Sequence, residues 1–188
     1  MKRYLAVTVL LALLALTAGG CEGLTTLMEA YDNTNPEDVN FRLLISDEVN
    51  AIGDFEELNV TITKIGVHQS GDSGSWLEFE LDPVEIVDLT DLEGSKATEI
   101  WTGQLEEGTY IKVFIYASEI IGVPNEDGYT IKLPSGRLQI SYPFEIIEDE
   151  VTEFVYDVTV VKAGQSGQYI IQPQIAESGP DQEYEEVD

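Results

Sequence analysis

Short apolar runs with a period of two, separated by glycine, proline and acidic turn residues, dominate the chain from Phe41 to Ala176. The segments 58–63 and 77–81 each alternate one apolar with one polar residue. Successive side chains of a β-strand point to opposite faces of a sheet, so this alternation is typical of strands that bury one face. The pattern predicts an all-β domain and no helix longer than a turn or two.

Two longer runs carry apolar side chains on both faces and are predicted to be central strands. They are Thr109 to Ala117 and Val151 to Lys162. Eight or nine strands at this spacing favour an antiparallel two-sheet sandwich, and a closed barrel is the alternative. Strict alternation places Tyr110, Phe114 and Tyr116 on one face of the first run. These three rings either fill a second core layer or, if exposed, stack against a sugar or a protein.

The N-terminus has the layout of a cleavable signal peptide. Lys2 and Arg3 precede an uncharged apolar run of 15 residues, 4–18, whereas a bilayer-spanning helix needs roughly 20. Small residues 18–20 then precede Cys21, so the segment resembles the lipobox of prokaryotic lipoproteins. Cys21 is the only cysteine and has no disulfide partner within the chain. We therefore expect removal of residues 1–20, acylation of Cys21 and anchorage to the outer face of a membrane.

The charge balance limits the partners that the exported chain can bind. Residues 1–20 contain two basic and no acidic residues, so residues 21–188 contain 36 acidic against 7 basic residues, a formal net charge of −29. Such a surface repels phosphate backbones and anionic headgroups. We expect no nucleic-acid partner, and we expect membrane contact through the lipid alone.

Composition divides the exported chain into three parts. Residues 21–40 are polar and aperiodic, which predicts a lipidated flexible tether. The β-domain is predicted over residues 41–176. Residues 177–188 are rich in glutamate and aspartate and are predicted to be a disordered tail.

Several motifs within the predicted domain resemble those of a family of prokaryotic surface lipoproteins, domain of unknown function DUF4382. The matching motifs are Leu44 to Asp47, Val60 to Ile62, Val67-His68, Trp76, Val87 to Leu89, Glu107 to Tyr110, Leu133 to Gly136 and Tyr169 to Pro173. The resemblance implies an extracellular β-sandwich similar to transthyretin-like or carboxypeptidase-regulatory-like modules. It implies no activity, because these motifs are turns and strand patterns.

The residue inventory excludes most enzyme mechanisms. His68 is the only histidine and Cys21 is predicted to be acylated, so neither a Cys–His pair nor a zinc site of His and Cys is expected. The pattern of a serine nucleophile elbow and the phosphate-binding glycine loops are absent. We expect no enzymatic activity, although the many acidic residues leave open a surface hydrolase with paired carboxylates.

Calcium is the one cofactor that the loops suggest. Hard cations prefer several oxygen ligands. Asp88, Asp91 and Glu93 lie close together in one loop, and Asn125 and Asp127 in another. Neither loop has the spacing of an EF-hand, so solvated loops are the alternative to a calcium site.

These observations favour a surface module over an enzyme. The leading hypothesis is a non-catalytic sandwich that binds a surface protein or a polysaccharide, mediates adhesion or organises the envelope. A calcium-responsive adhesion domain is the first alternative, and the surface hydrolase is the second.

Overall fold

The structure, a computed structural model, describes residues 39–71, 74–124, 130–132, 136–164 and 168–187. The predicted signal peptide, Cys21 and nearly all of the predicted tether lie outside these residues, as do Asn125 and Asp127. Within the described ranges the regular structure consists of strands and three short 3-10 helices, at Ala51–Asp54, Leu89–Leu92 and Ile175–Glu177. The strands are β1 (Phe41–Asp47), β2 (Phe55–Gln69), β3 (Trp76–Asp88), β4 (Lys96–Gly103), β5 (Gly108–Pro124), β6 (Thr130–Lys132), β7 (Arg137–Ile140), β8 (Phe144–Ile146), β9 (Thr152–Lys162), β10 (Gln168–Pro173) and β11 (Glu185–Glu186).

The strands form two sheets that pack face to face. Sheet 1 has the order β11-β4-β1-β9-β10-β6. Sheet 2 has the order β3-β2-β5-β7, and β8 pairs with another part of β5. This arrangement confirms the predicted two-sheet β-sandwich. The described residues contain eleven strands where eight or nine were predicted, because three pairings involve strands of only two or three residues.

The predicted antiparallel arrangement holds throughout sheet 2, but in sheet 1 it holds only for the pairings of β1 with β4 and of β9 with β10. In sheet 1, β1 runs parallel to β9, β10 to β6 and β11 to β4. Parallel neighbours need a long connection rather than a hairpin. The connection between β1 and β9 contains all of sheet 2, which local sequence patterns do not reveal.

The core lies between the sheets and is filled by alternate residues of each long strand. On β9 these are Phe154, Tyr156, Val158 and Val160, all fully buried. On β2 the core-facing residues alternate with outward-facing ones, and this alternation shifts by one residue at Thr63, where the pairing register shifts. This bulge allows Ile62 and Ile65 to be buried together. The change of phase is visible in the sequence, where Thr63 and Lys64 separate Ile62 from Ile65.

The C-terminal residues are ordered, contrary to the predicted disordered tail. Residues 174–187, which we call the strap, run beside β9, cross the outer face of sheet 1 and end as β11 beside β4. Gly179 exchanges two backbone hydrogen bonds with Val155, at 2.9 and 3.1 Å. Ser178 is fully buried, and its hydroxyl accepts from the Asp157 amide at 2.9 Å. Backbone pairing therefore holds this segment despite its acidic composition.

Candidate functional site

Tyr110, one of the three predicted stacking residues, lies in the core. Its side chain is fully buried, its ring stacks on Phe144 at 5.4 Å, and its hydroxyl donates to the Glu106 carbonyl at 2.9 Å. The cause is an irregularity at Ile111, which has no partner on β2. One unpaired residue reverses the direction of those that precede it. Tyr110 is therefore not part of the outer face to which alternation assigned it.

The outer face of sheet 2 carries four rings in contact, which we call the aromatic row: His68, Trp76, Phe114 and Tyr116. His68 and Trp76 are stacked with their centroids 4.3 Å apart and their planes within 13°. Trp76 and Phe114 are 4.5 Å apart, and Phe114 and Tyr116 are 6.4 Å apart. The row crosses the three neighbouring strands β3, β2 and β5.

Strand register and one glycine explain why these rings meet. His68 on β2 pairs directly with Trp76 on β3. On the other side of β2, Gly66 pairs with Phe114. A Cβ atom at Gly66 would lie 3.6 Å from the side chains of both Phe114 and Tyr116 and 3.3 Å from a backbone oxygen. The missing side chain leaves the space above β2 that the two rings occupy.

Exposure separates the rings that can touch a ligand from the ring that supports them. Trp76 is 48% exposed. Tyr116 is half-buried, whereas Phe114 is fully buried beneath its neighbours. Phe114, a predicted stacking residue, is therefore a packing residue. Trp76 is the ring best placed to meet a ligand.

Three basic side chains border the aromatic row, out of seven in residues 21–188. Lys112 lies over the Trp76 ring with its Nζ 5.6 Å from the centroid. The Arg137 guanidinium lies 5.2 Å from the centroid of Phe114. Within the described part of the chain, neither Lys112 nor Arg137 forms a salt bridge. On a strongly acidic protein, two cations that no carboxylate contacts in that part therefore lie over the aromatic row, Lys112 at the exposed Trp76 and Arg137 at Phe114.

At the Tyr116 end of the aromatic row, the charge of the basic side chain is neutralised by neighbouring glutamates. Lys64 lies 5.0 Å above the Tyr116 ring and forms salt bridges with Glu78 at 3.2 Å and Glu80 at 3.1 Å. The Tyr116 hydroxyl donates to Glu78 at 2.6 Å. This hydrogen bond, followed by that from Lys64, lowers the pKa of Glu78 below its usual value. Tyr116 is thus held in place at the edge of the exposed surface.

His68 acts on this face as a stacking ring. Its imidazole is not oriented as that of a catalytic base is. It is half-buried, and its Nδ1 has no hydrogen-bond partner among the described residues. A general base is normally oriented by a partner at its second ring nitrogen. The contact that His68 makes is its stacking on Trp76.

Of the residues predicted to bind calcium, the three that lie in the described part of the chain do not converge. Asp88 caps the 3-10 helix Leu89–Leu92, because its Oδ1 accepts from the Thr90 amide at 3.0 Å, the Thr90 hydroxyl at 2.8 Å and the Leu58 amide at 3.0 Å. Asp91 and Glu93 are exposed. Nowhere in the described ranges do three Asp, Glu, His or Cys side chains form a group that could hold a metal ion.

Sequence reasoning missed several members of this surface. His68 was assigned no binding role from the sequence, and Lys112 and Arg137 were not singled out. The available signal was positional, since His68 and Trp76 lie on either side of the glycine- and serine-rich segment 70–75, and two such positions on neighbouring antiparallel strands lie opposite one another.

One comparison with known proteins gave a match. The family described as Domain of unknown function (DUF4382) matches residues 38–173, which include the aromatic row and end just before the strap. The searches of curated proteins and of solved structures found no match. Among the described residues no helix is long and apolar enough to cross a membrane. Because the family match covers well over half of the chain, the protein belongs to the DUF4382 family.

Proposed function

We propose that this chain is an exported lipoprotein, anchored through Cys21 to the outer face of a membrane, and that its β-sandwich is a non-catalytic module that binds polysaccharide through the aromatic row. The anchor is supported by the charge order of residues 1–20 and by the small residues before Cys21. The excess of acidic residues keeps such a module soluble at the surface.

The observation that carries the binding proposal is the exposed ring of Trp76, with Lys112 over it and Arg137 over the adjoining ring of Phe114. A pyranose ring presents a face of C–H groups that packs against an aromatic ring, as other apolar surfaces do. His68 and Phe114 hold the Trp76 ring from two sides at 4.3 and 4.5 Å. A ring already fixed in this way loses little conformational entropy when a ligand packs against it.

Lys112 and Arg137 supply the polar half of the proposed site. Both side chains are pure hydrogen-bond donors, and sugar hydroxyls and carboxylates are acceptors. Cavities of about 380 and 590 Å³ in the described part of the chain are lined by other residues than the aromatic row. An extended surface that combines stacking with donors suits a chain of sugars better than a compact metabolite, which a concave pocket would enclose.

The hydrolase alternative requires two carboxyl groups that flank one bond. Asp47 and Asp157 are carboxyl groups whose pKa values are raised strongly, Asp47 to about 8 and Asp157 to about 6, chiefly by burial. Asp47 pairs with the core residue Val158, whereas Asp157 lines a cavity on the outer face. Since they point to opposite faces of sheet 1, this pair does not fit the geometry that a hydrolase needs.

The binding proposal can be tested through the fluorescence of Trp76. The chain contains two tryptophans, and Trp101 is partly buried against Phe41 and Phe79. In the W101F variant, where Trp76 alone emits, titration with dextran, xylan and polygalacturonate should produce a saturable change with at least one of the three. Retention on a column of that polysaccharide then compares wild type, W76A and I86A.

The control residue Ile86 lies on the same strand as Trp76 and is 61% exposed. We expect W76A to lose retention and I86A to keep it. Equal retention of both variants, or no response of Trp76 to any of the three polysaccharides, would show that the aromatic row is not the binding surface.

A further inference from the structure

The strap encloses a cavity against the outer face of sheet 1 that is independent of the aromatic row. The cavity has a volume of about 380 Å³. Strand residues Ser46 and Asp157 form part of its lining, and the strap contributes Glu177 and the segment 182–184. The cavity lies at the boundary between the family-matched domain and the residues that follow it.

The lining is acidic and contains no basic residue among those that the structure describes. Its four carboxylates belong to Glu48, Asp157, Glu177 and Glu183. Arg42, a cation on the same face of sheet 1, is already bound by three other glutamates at 2.5 Å each. No described side chain of the lining therefore neutralises the cavity from within.

Asp157 gives an independent indication of what the cavity can bind. The residue is 97% buried by the protein, since only 3% is exposed. Oδ1 accepts from the Ser46 hydroxyl at 2.6 Å, but Oδ2 has no hydrogen-bond partner among the described residues. An unsatisfied buried carboxylate oxygen is unfavourable, and a donor placed in the cavity would satisfy it.

The electrostatics of the surrounding elements agree with this geometry. Burial raises the pKa of Asp157 to about 6; the Ser46 hydrogen bond opposes this rise, and Glu48 and Glu177 add to it. Asp47 on β1 is also close, but its own raised pKa of about 8 keeps it protonated at neutral pH, so it adds no charge there. Glu48 and Glu177 surround the Asp157 carboxylate with like charge, so a cation bound beside it is favoured.

The donor set favours an organic cation over a metal ion. Calcium takes six to eight oxygen ligands at short distances, and the described residues contain no group of three acidic side chains in such an arrangement. A primary ammonium group has three donors and needs only a few well-placed acceptors. The volume of about 380 Å³ also leaves room for an alkyl chain behind the ammonium group.

We propose that this cavity binds a primary alkylammonium group, with Asp157 Oδ2 as its principal acceptor and Glu177 at the rim. The group is carried either by a free diamine or by a lysine side chain of a peptide. The two sources share the ammonium chemistry and differ in the length of chain that must remain outside the cavity.

Two-dimensional NMR titration of the chain without residues 1–20 tests this proposal. The probes are 1,5-diaminopentane and a tetrapeptide with one lysine, each at constant ionic strength. We expect saturable shifts confined to the amides of Ser46, Asp157 and Ser178 with at least one probe. Saturation by the diamine alone identifies a free amine as the ligand, and saturation by the peptide, with or without the diamine, identifies an accessible lysine site. Saturation by neither probe would overturn the proposal.

The isosteric D157N variant should weaken binding by about tenfold, as expected for loss of one charged hydrogen bond. E177Q, which changes an exposed side chain and leaves the fold intact, should weaken it by about twofold. E150Q is the matched control on an exposed turn outside the cavity and should bind as wild type does. Equal affinity of wild type, D157N and E177Q would overturn the proposal, as would saturation of the same amides by calcium chloride at a lower concentration than either amine.

Discussion

Asp47 and Asp157 occupy successive register positions on the neighbouring parallel strands β1 and β9, and their carboxyl groups point to opposite faces of sheet 1. Asp157 pairs with Ser46, and Asp47 pairs with Val158, a residue of the core. Paired residues on adjacent strands share a face, so Asp47 points inwards. Both oxygens of Asp47 are buried without a hydrogen-bond partner among the described residues. Folding therefore favours the protonated form of this carboxyl group.

The first prediction is that stability falls as pH rises. Burial, followed by the charge of Asp157, raises the pKa of Asp47 to about 8 from an ordinary value of 3.8. Between these values the folded state binds a proton that the unfolded state has lost, so the free energy of unfolding decreases with pH. Between pH 5 and pH 7, the free energy of unfolding of wild type should fall by about 1 kcal/mol more per pH unit than that of the D47N variant.

Urea denaturation of wild type and D47N at intervals from pH 4 to pH 8 measures this difference. Asp157 contributes with the same sign up to its pKa of about 6, and it is present in both proteins. If the free energies of unfolding of the two proteins change with pH in parallel, Asp47 is not protonated in the folded protein.

Local alternation was sufficient to predict the sandwich because side-chain direction in a strand depends on neighbouring residues alone. The slip in phase from Ile62 to Ile65, where polar residues separate the two phases, coincides with the bulge of β2 and can be read from the sequence. The irregularity at Ile111 was not visible, because Tyr110 and Ile111 are both apolar and either could face the core. That single ambiguity placed Tyr110 in the wrong layer.

The strap and the aromatic row depend on contacts between residues far apart in the chain. The composition of residues 177–187 is that of a disordered segment, and nothing local distinguishes it from one. Its order comes from backbone bonds to Val155 and from Arg42 on the first strand. Likewise the row exists only once β3 and β5 lie on either side of β2. Such pairings are set by topology.

A second prediction concerns Arg42, which joins β1 to three other strands on the outer face of sheet 1. Its guanidinium contacts Glu99, Glu153 and Glu186 at 2.5 Å each. Its pKa is raised, chiefly by the hydrogen bond to Glu99. The R42M variant leaves three carboxylates close together without this cation, so we expect a loss of about 2 kcal/mol in the free energy of unfolding.

K96M makes the same change of charge at an exposed position and should lower stability by less than about 0.5 kcal/mol. Limited proteolysis followed by mass spectrometry should also show faster cleavage after Glu183 in R42M, because Glu186 loses its partner. If R42M and K96M unfold at the same denaturant concentration, the three-carboxylate cluster does not hold the strap.

A third prediction separates the capping role of Asp88 from a calcium site. Removal of its carboxylate in D88A leaves the amides of Leu58 and Thr90 without their acceptor. We expect D88A to lower the free energy of unfolding by about 2 kcal/mol, and the exposed control D91A to change it little. Because capping needs no metal, the difference should be the same with and without millimolar calcium chloride. A rise in melting temperature with calcium in wild type, absent from D88A, would instead restore calcium binding at this loop.

The last prediction tests whether the strap is docked in one conformation, as the cavity beneath it requires. Gly179 has φ of +140°, a conformation that side chains with a Cβ rarely adopt. A Cβ atom there would also lie 2.9 Å from the Tyr142 ring. G179A should therefore lower the free energy of unfolding by about 2 kcal/mol and expose the strap to protease. Gly53 is exposed, and a Cβ atom added to it would meet nothing within 4 Å, so G53A should behave as wild type does. Since a loosely held strap could move Gly179 away from Tyr142 without strain, equal stability of the two variants would show that the strap, and with it one wall of the cavity, is not fixed against sheet 1.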